Sequence, residues 1–128
     1  VLIVVDASSG VPVFRQVMDQ VRFHIASGLL AEGDELPPTR TLSAEIGVNP
    51  MTISKAYNLL ERDGVLERRP GRPLVVAPLD SAELEVQKLD QLRANLAGAV
   101  RAARQLGIDP DDAIGVFREL LETEKEED

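Results

Sequence analysis

The stretch from Ser27 to Val76, SGLLAEGDELPPTRTLSAEIGVNPMTISKAYNLLERDGVLERRPGRPLVV, is broken so often by glycine and proline that it admits only short elements. Its order reads as helix, turn, helix and then a short two-stranded ribbon carrying three arginines. Leu42 and Ile46 lie four apart, and Gly47 ends the short helix they mark. Asn49 then offers an N-cap, with Pro50 at the first helical position, where its missing N–H costs nothing. The next helix runs to about Asp63 before Gly64 closes it. Its inward stripe is Ile53, Ala56, Tyr57 and Leu60, which leaves Met51, Thr52, Ser54, Lys55 and Asn58 on other faces.

The flanks complete the plan. Leu2 to Val5 predict a first strand, and a helix from near Pro12 carries Phe14, Val17, Met18, Val21 and Ile25 at steps of three and four until Gly28. A loop spans Ala31 to Pro37. Val65 to Glu67 and Leu74 to Ala77 predict two strands joined across Arg68, Arg69, Pro70, Gly71, Arg72 and Pro73. A supporting helix, two helices about a tight turn and a basic ribbon make a winged helix-turn-helix, assigned to residues 1–79.

Beyond Pro78, Leu89, Leu92, Leu96, Ala99, Ala103 and Leu106 form a heptad-like seam on one helix from near Ser81 to Gly107. Asp109, Pro110 and Asp112 signal the start of a last helix, with Ile114, Phe117 and Leu121 facing its neighbour and a frayed ETEKEED end. Two helices leave an apolar strip that neither covers, and dimerisation is the simplest remedy. The expected fold is therefore mainly α with a small β-wing: a winged helix-turn-helix followed by a C-terminal two-helix dimerisation hairpin over residues 80–128. The seam, with Phe117 and Leu121, is the expected dimerisation surface.

Composition removes several function classes. The chain has 128 residues, no cysteine and one histidine, His24, so disulfides, thiolate metal sites and a Cys/His nucleophile pair are excluded. No P-loop, nucleophile-elbow or zincin motif occurs, and neither enzyme activity nor a cofactor is expected. Asp109, Asp111 and Asp112 fit helix capping better than an EF-hand loop, so no metal is assigned. No apolar run is long enough to span a bilayer, and VLIVV lacks the basic flank of a signal peptide; a cytoplasmic location is expected.

A formal net charge of −8 argues against a nucleic-acid partner until its distribution is read. Residues 1–79 hold 8 Lys/Arg against 9 Asp/Glu, whereas residues 80–128 hold 6 against 13. The acidity belongs to the tail, and local basic groups remain able to meet phosphates. A recognition helix reads bases mainly through its first turn. Here that turn offers Asn49, Met51, Thr52, Ser54 and Lys55: hydroxyls for phosphates or base edges, a thioether for a thymine methyl, and an ammonium for guanine or phosphate. Arg40 at the start of the preceding helix either reaches DNA or pairs with Glu45 or Asp34. In the ribbon, Arg68, Arg69 and Arg72 flank Pro70 and Gly71, and Gly71 leaves room for close approach to a sugar-phosphate strand. Tyr57 belongs to the buried stripe.

The segment SGLLAEGDELPPTRTLSAEIGVNPMTISKAYNLLERDG resembles the DNA-binding domain of the bacterial GntR family of transcriptional regulators, with G-x-L-x-x-G-x-x-L-P-x-x-R-x-L spacing and then V-N-P-x-T-I-x-x-A-Y-x-x-L. The short two-helix tail and the V-D-x-S-x-x-x-P-V-F opening resemble its YtrA-like subfamily. The resemblance implies DNA contacts at Arg40, Met51, Thr52, Ser54 and Gly71. It also marks departures: Pro38 stands where many members carry a capping serine, and the wing reads R-P-G-R-P-L-V-V. The expectation is a homodimeric, sequence-specific repressor on an inverted-repeat operator of double-stranded DNA, with a small-molecule effector as a possible further partner. A winged-helix protein-interaction module is the alternative.

Overall fold

The computed structural model describes residues 3–127, which form α1 (Val13–Ala26), α2 (Thr39–Ile46), α3 (Pro50–Arg62), β1 (Leu66–Glu67), β2 (Val75–Val76), α4 (Ser81–Gln105) and α5 (Pro110–Glu127). They fall into two compact units, one up to Gln91 and one from Leu92 onward.

In the first unit α3 is the central element, packed against α1, α2 and β1. The predicted stripe is the reason: Ile53, Ala56 and Leu60 have no solvent exposure, and Tyr57 is buried beside them. They meet Val17 and Val21 of α1 and Leu42 of α2, with Leu66 and Val76 closing the core from the sheet. Burying side chains of this size stabilises the fold by roughly 1.5–3 kcal/mol each before entropy is counted. Arg22 of α1 also reaches Asp63 at the end of α3, 2.8 Å away.

The turn between α2 and α3 sets how α3 is presented. Gly47 closes α2 in the left-handed region at φ 67°, a conformation that costs a residue with a Cβ. The Gly47 and Val48 amides both donate to the Ser43 carbonyl, and the Ser43 hydroxyl donates to the Val48 carbonyl. Asn49 then caps α3, its side chain accepting from the Met51 amide at 2.8 Å. Three residues thus separate two helices with most of the turn's polar groups engaged.

Two predictions in this unit are corrected. The first strand does not form among the described residues: Ile3 to Asp6 belong to no sheet, and the backbone groups of Val4 and Asp6 bond side chains of α1. Gln20 pairs with both the amide and the carbonyl of Val4, and Gln16 does the same for Asp6. Four residues of helix advance about 6 Å and two of extended chain about 6.6 Å, so glutamines four apart match alternate backbone units. Leu2 lies outside the described residues.

The predicted loop over Ala31 to Pro37 is also more ordered than expected. Glu35 forms an antiparallel bridge to Val75, and the Leu36 amide donates to the Leu74 carbonyl at 2.8 Å. With β1 pairing Leu66 to Val76 on the other edge, β2 is bonded on both sides. Leu36 is buried there, which anchors the chain just before α2.

The second unit behaves differently. No residue from Leu92 to Glu124 is buried. Ile114, Phe117 and Leu121, expected to face the neighbouring helix, stay exposed, Phe117 at 38% being the most covered of the three. The loop at residues 106–109 lets the helices follow one another without interleaving their apolar faces. The expected fraying of ETEKEED is corrected as well: α5 continues to Glu127, and the Thr123 hydroxyl donates to the Glu119 carbonyl inside it. Asp128 lies outside the described residues. No helix among the described residues is long and apolar enough to cross a membrane.

Candidate nucleic-acid interface

The head of α3 projects from the first unit as the capping pattern requires. Asn49 and Met51 are exposed, Met51 at 79%, while Thr52 and Ser54 are half-buried along the flank of the same helix. An unbranched apolar side chain left in solvent beside a free hydroxyl is poor core design and good groove chemistry. Arg40, one residue into α2, is exposed and forms no ion pair among the described residues. Asp34, its suggested partner, instead accepts from the Ala31 amide at 2.8 Å. The guanidinium is therefore available to a ligand.

Tyr57 belongs to the core, and its hydroxyl has a specific task. It donates to the Pro37 carbonyl at 2.8 Å, tying α3 to the segment that launches α2 and Arg40. Burial, with the charge of Glu45 as a lesser cause, raises its pKa well above the usual phenol value, so the hydroxyl stays a donor. Pro38, lacking a side-chain donor or acceptor, provides no cap for α2. The tyrosine bond braces the same entrance from the other side.

Lys55 does not extend beside Met51 and Thr52. Its ammonium sits over the ring of Phe14, 4.0 Å from the centroid, so the side chain lies back toward α1. At the wing, Gly71 takes φ 70° at the tip, a conformation that requires glycine for the turn itself. Arg69 pairs with Glu67 at 3.7 Å and Arg68 with Glu61 of α3 at 3.3 Å, whereas Arg72 has no ion pair among the described residues.

Sequence reasoning assigned no DNA role to Thr39 or Asn58. Thr39, Asn58 and Arg68 join Ser54 and Arg72 around a groove of about 320 Å³ between the start of α2, the flank of α3 and the wing. Asn58 was findable, since it lies four residues after Ser54 and so on the same helical face. Thr39 and Arg68 come near it only through the fold.

These features coincide with matches to known proteins. The family described as "Bacterial regulatory proteins, gntR family" matches residues 14–76, from α1 to the second wing strand. The HTH-type transcriptional repressor YtrA of Bacillus subtilis (strain 168) is 31% identical over 84% of this chain and 83% of its own length. Among solved structures, YtrA from Sulfolobus acidocaldarius, a GntR-family transcription factor, aligns with a TM-score of 0.59 and 33% identity over 79% of this chain and 99% of that one. AraR(DBD) in complex with operator ORX1 aligns with a TM-score of 0.54 and 26% identity over 58% of this chain and 94% of that one. With α3 capped and exposed at its head as such a fold demands, the chain belongs to the GntR family of DNA-binding transcriptional regulators, in its YtrA-like branch.

Proposed function

We propose that this chain is a homodimeric repressor, acting in the cytoplasm, that occupies an inverted-repeat operator and so blocks transcription. The observation that carries the reading is the exposed head of α3 on a helix whose other side is wholly buried. A rigid helix with a free first turn is what base reading in a major groove requires. Met51 and Thr52 meet base edges in this reading, with Asn49 and Ser54 beside them, while Arg40 reaches guanine or a phosphate. Lys55, held over Phe14, serves the phosphate backbone. Arg69, Gly71 and Arg72 bring the wing against a neighbouring strand.

Dimerisation falls to residues 80–128, with residues 1–79 reading DNA. The support is the uncovered seam: Leu89, Leu92 and Leu106 are exposed, Leu96 and Ala103 half-buried, and Ala99 exposed between them. Phe117 and Leu121 of α5 are exposed as well. A two-fold pair of identical readers calls for a near-palindromic site with half-sites spaced by whole helical turns. The Bacillus subtilis relative is named a repressor, which favours repression over activation.

A gel shift with DNA from upstream of the chain's own gene tests the reading. Preference over random DNA at moderate salt, lost in Arg40→Ala and Met51→Ala, is expected. Equal binding to both DNAs would overturn it.

A further inference from the structure

We propose that the groove between the start of α2, the flank of α3 and the wing is a seat for one phosphate of the DNA backbone, with the Arg68–Glu61 pair holding a second cation in reserve. The proposal rests on the DNA-binding reading and adds to it a built position. Thr39, Ser54 and Asn58 supply neutral hydrogen-bonding groups, and the guanidinia of Arg68 and Arg72 supply charge. Hydroxyls, an amide and a free guanidinium lining one concave site, with a second arginine at its edge, fit a tetrahedral phosphodiester anion better than a flat base edge.

The position along α3 supports the same ligand. Ser54 and Asn58 lie roughly one and two turns beyond the head at Met51 and Thr52. When the head of such a helix enters a major groove, the residues a turn or two later pass the sugar-phosphate rim. Arg72 has no ion pair among the described residues and is the seat's free cation. Arg68 is held by Glu61 through Nε and Nη2, each at 3.3 Å, with its side chain 61% exposed. An exposed pair of that length is a weak restraint, so a phosphate in the groove can draw Arg68 across. Glu61 thereby moderates affinity by competing with DNA for one arginine.

Two coupled measurements on the full chain test this. In the first, DNA duplexes carry a single methylphosphonate, which removes the charge of one phosphate, stepped along the site. One position in each half-site is expected to cost the unmodified protein about tenfold in affinity and to cost Arg72→Gln nothing further, while other positions cost both proteins alike. A scan in which no position becomes silent in Arg72→Gln overturns the seat. Failure of both proteins to bind any specific DNA overturns the DNA reading itself, a separate result.

In the second measurement, Glu61→Gln is expected to tighten binding severalfold and steepen the salt dependence by up to about one charge, an effect that vanishes in an Arg68→Gln background. Glu32→Gln, which removes an exposed acid that forms no ion pair among the described residues, controls for the general loss of an acid and is expected to leave affinity nearly unchanged. Equal tightening by Glu61→Gln with and without Arg68 overturns the reserve role. Orthophosphate alone distinguishes a free anion as the source: saturable submillimolar shifts of the Asn58 side-chain amide, together with a flat methylphosphonate scan, would assign the groove to a small phosphate compound instead.

Discussion

The two units solve opposite problems. Up to Gln91 the chain buries three helices and a ribbon around one core, whereas no described residue from Leu92 to Glu124 is buried. Both contain helices with apolar positions at steps of three and four, so periodicity alone does not separate them. What separates them is a third element. α3 packs against both α1 and α2, whereas among the described residues Leu92 on α4, Leu106 just past its end and Leu121 on α5 stay exposed. An amphipathic helix without such packing is the signature of a surface completed by another molecule.

The largest effect that sharpens this contrast is a core truncation. Leu60→Ala should destabilise the first unit by about 2–5 kcal/mol and abolish DNA binding with the fold, as urea unfolding would register. Leu92→Ala should leave the first unit's unfolding within about 0.5 kcal/mol of the original and shift the mass in sedimentation equilibrium toward single chains. Similar losses of folded-state stability from both would break the comparison.

Arg40→Ala acts on the other axis. Loss of a charged contact should weaken specific DNA binding by about 1–3 kcal/mol while the sedimentation behaviour and the unfolding curve stay unchanged. A change in oligomeric state on this substitution would mean that the two units do not divide the work.

Smaller still is the brace under Arg40. Tyr57→Phe removes the hydroxyl that donates to Pro37 and should cost about 0.5–1.5 kcal/mol of first-unit stability in denaturant titration. Because the buried phenol's pKa is raised, this contribution is complete below the unfolded value near 10 and fades only as pH climbs through the folded one.

The least effect comes from His24, the chain's one histidine. Burial lowers its pKa below 6.5, and Nδ1 has no hydrogen-bond partner among the described residues. The folded state therefore favours the neutral ring, so its contribution is present above pH 6.5 and lost as pH falls through the depressed value. His24→Gln should flatten that acid limb in pH-dependent melts of the whole chain.

Much of this was readable from residues because local and global preferences agree. The stripe Ile53, Ala56, Tyr57 and Leu60 is buried as its spacing demands, and Asn49 caps with Pro50 behind it. Local chemistry sufficed there. It failed where the deciding partner is remote in sequence. VLIVV has strand composition, yet its backbone is bonded by Gln16 and Gln20, whose role no strand propensity announces. Residues Gly33 to Leu36 look like loop and are held by the segment from Leu74 to Val76 through main-chain bonds that leave little mark on side-chain pattern. The head of the candidate site was legible because it sits on one helix. The groove as a whole was not, since Thr39, Arg68 and Arg72 come beside the Ser54 and Asn58 face of α3 only after the chain folds.

The central claim is that an exposed seam turns one groove-reading helix into a two-fold reader, and the genome tests it most directly. Sheared genomic DNA from the source organism, retained by the full-length chain at moderate salt and sequenced, should share an inverted repeat with half-sites at a fixed spacing. In Leu92→Glu, Leu106→Glu protein the retained fragments should lose that paired pattern. Fragments enriched for a lone half-site by the unmodified chain, or sharing no sequence at all, would contradict the account.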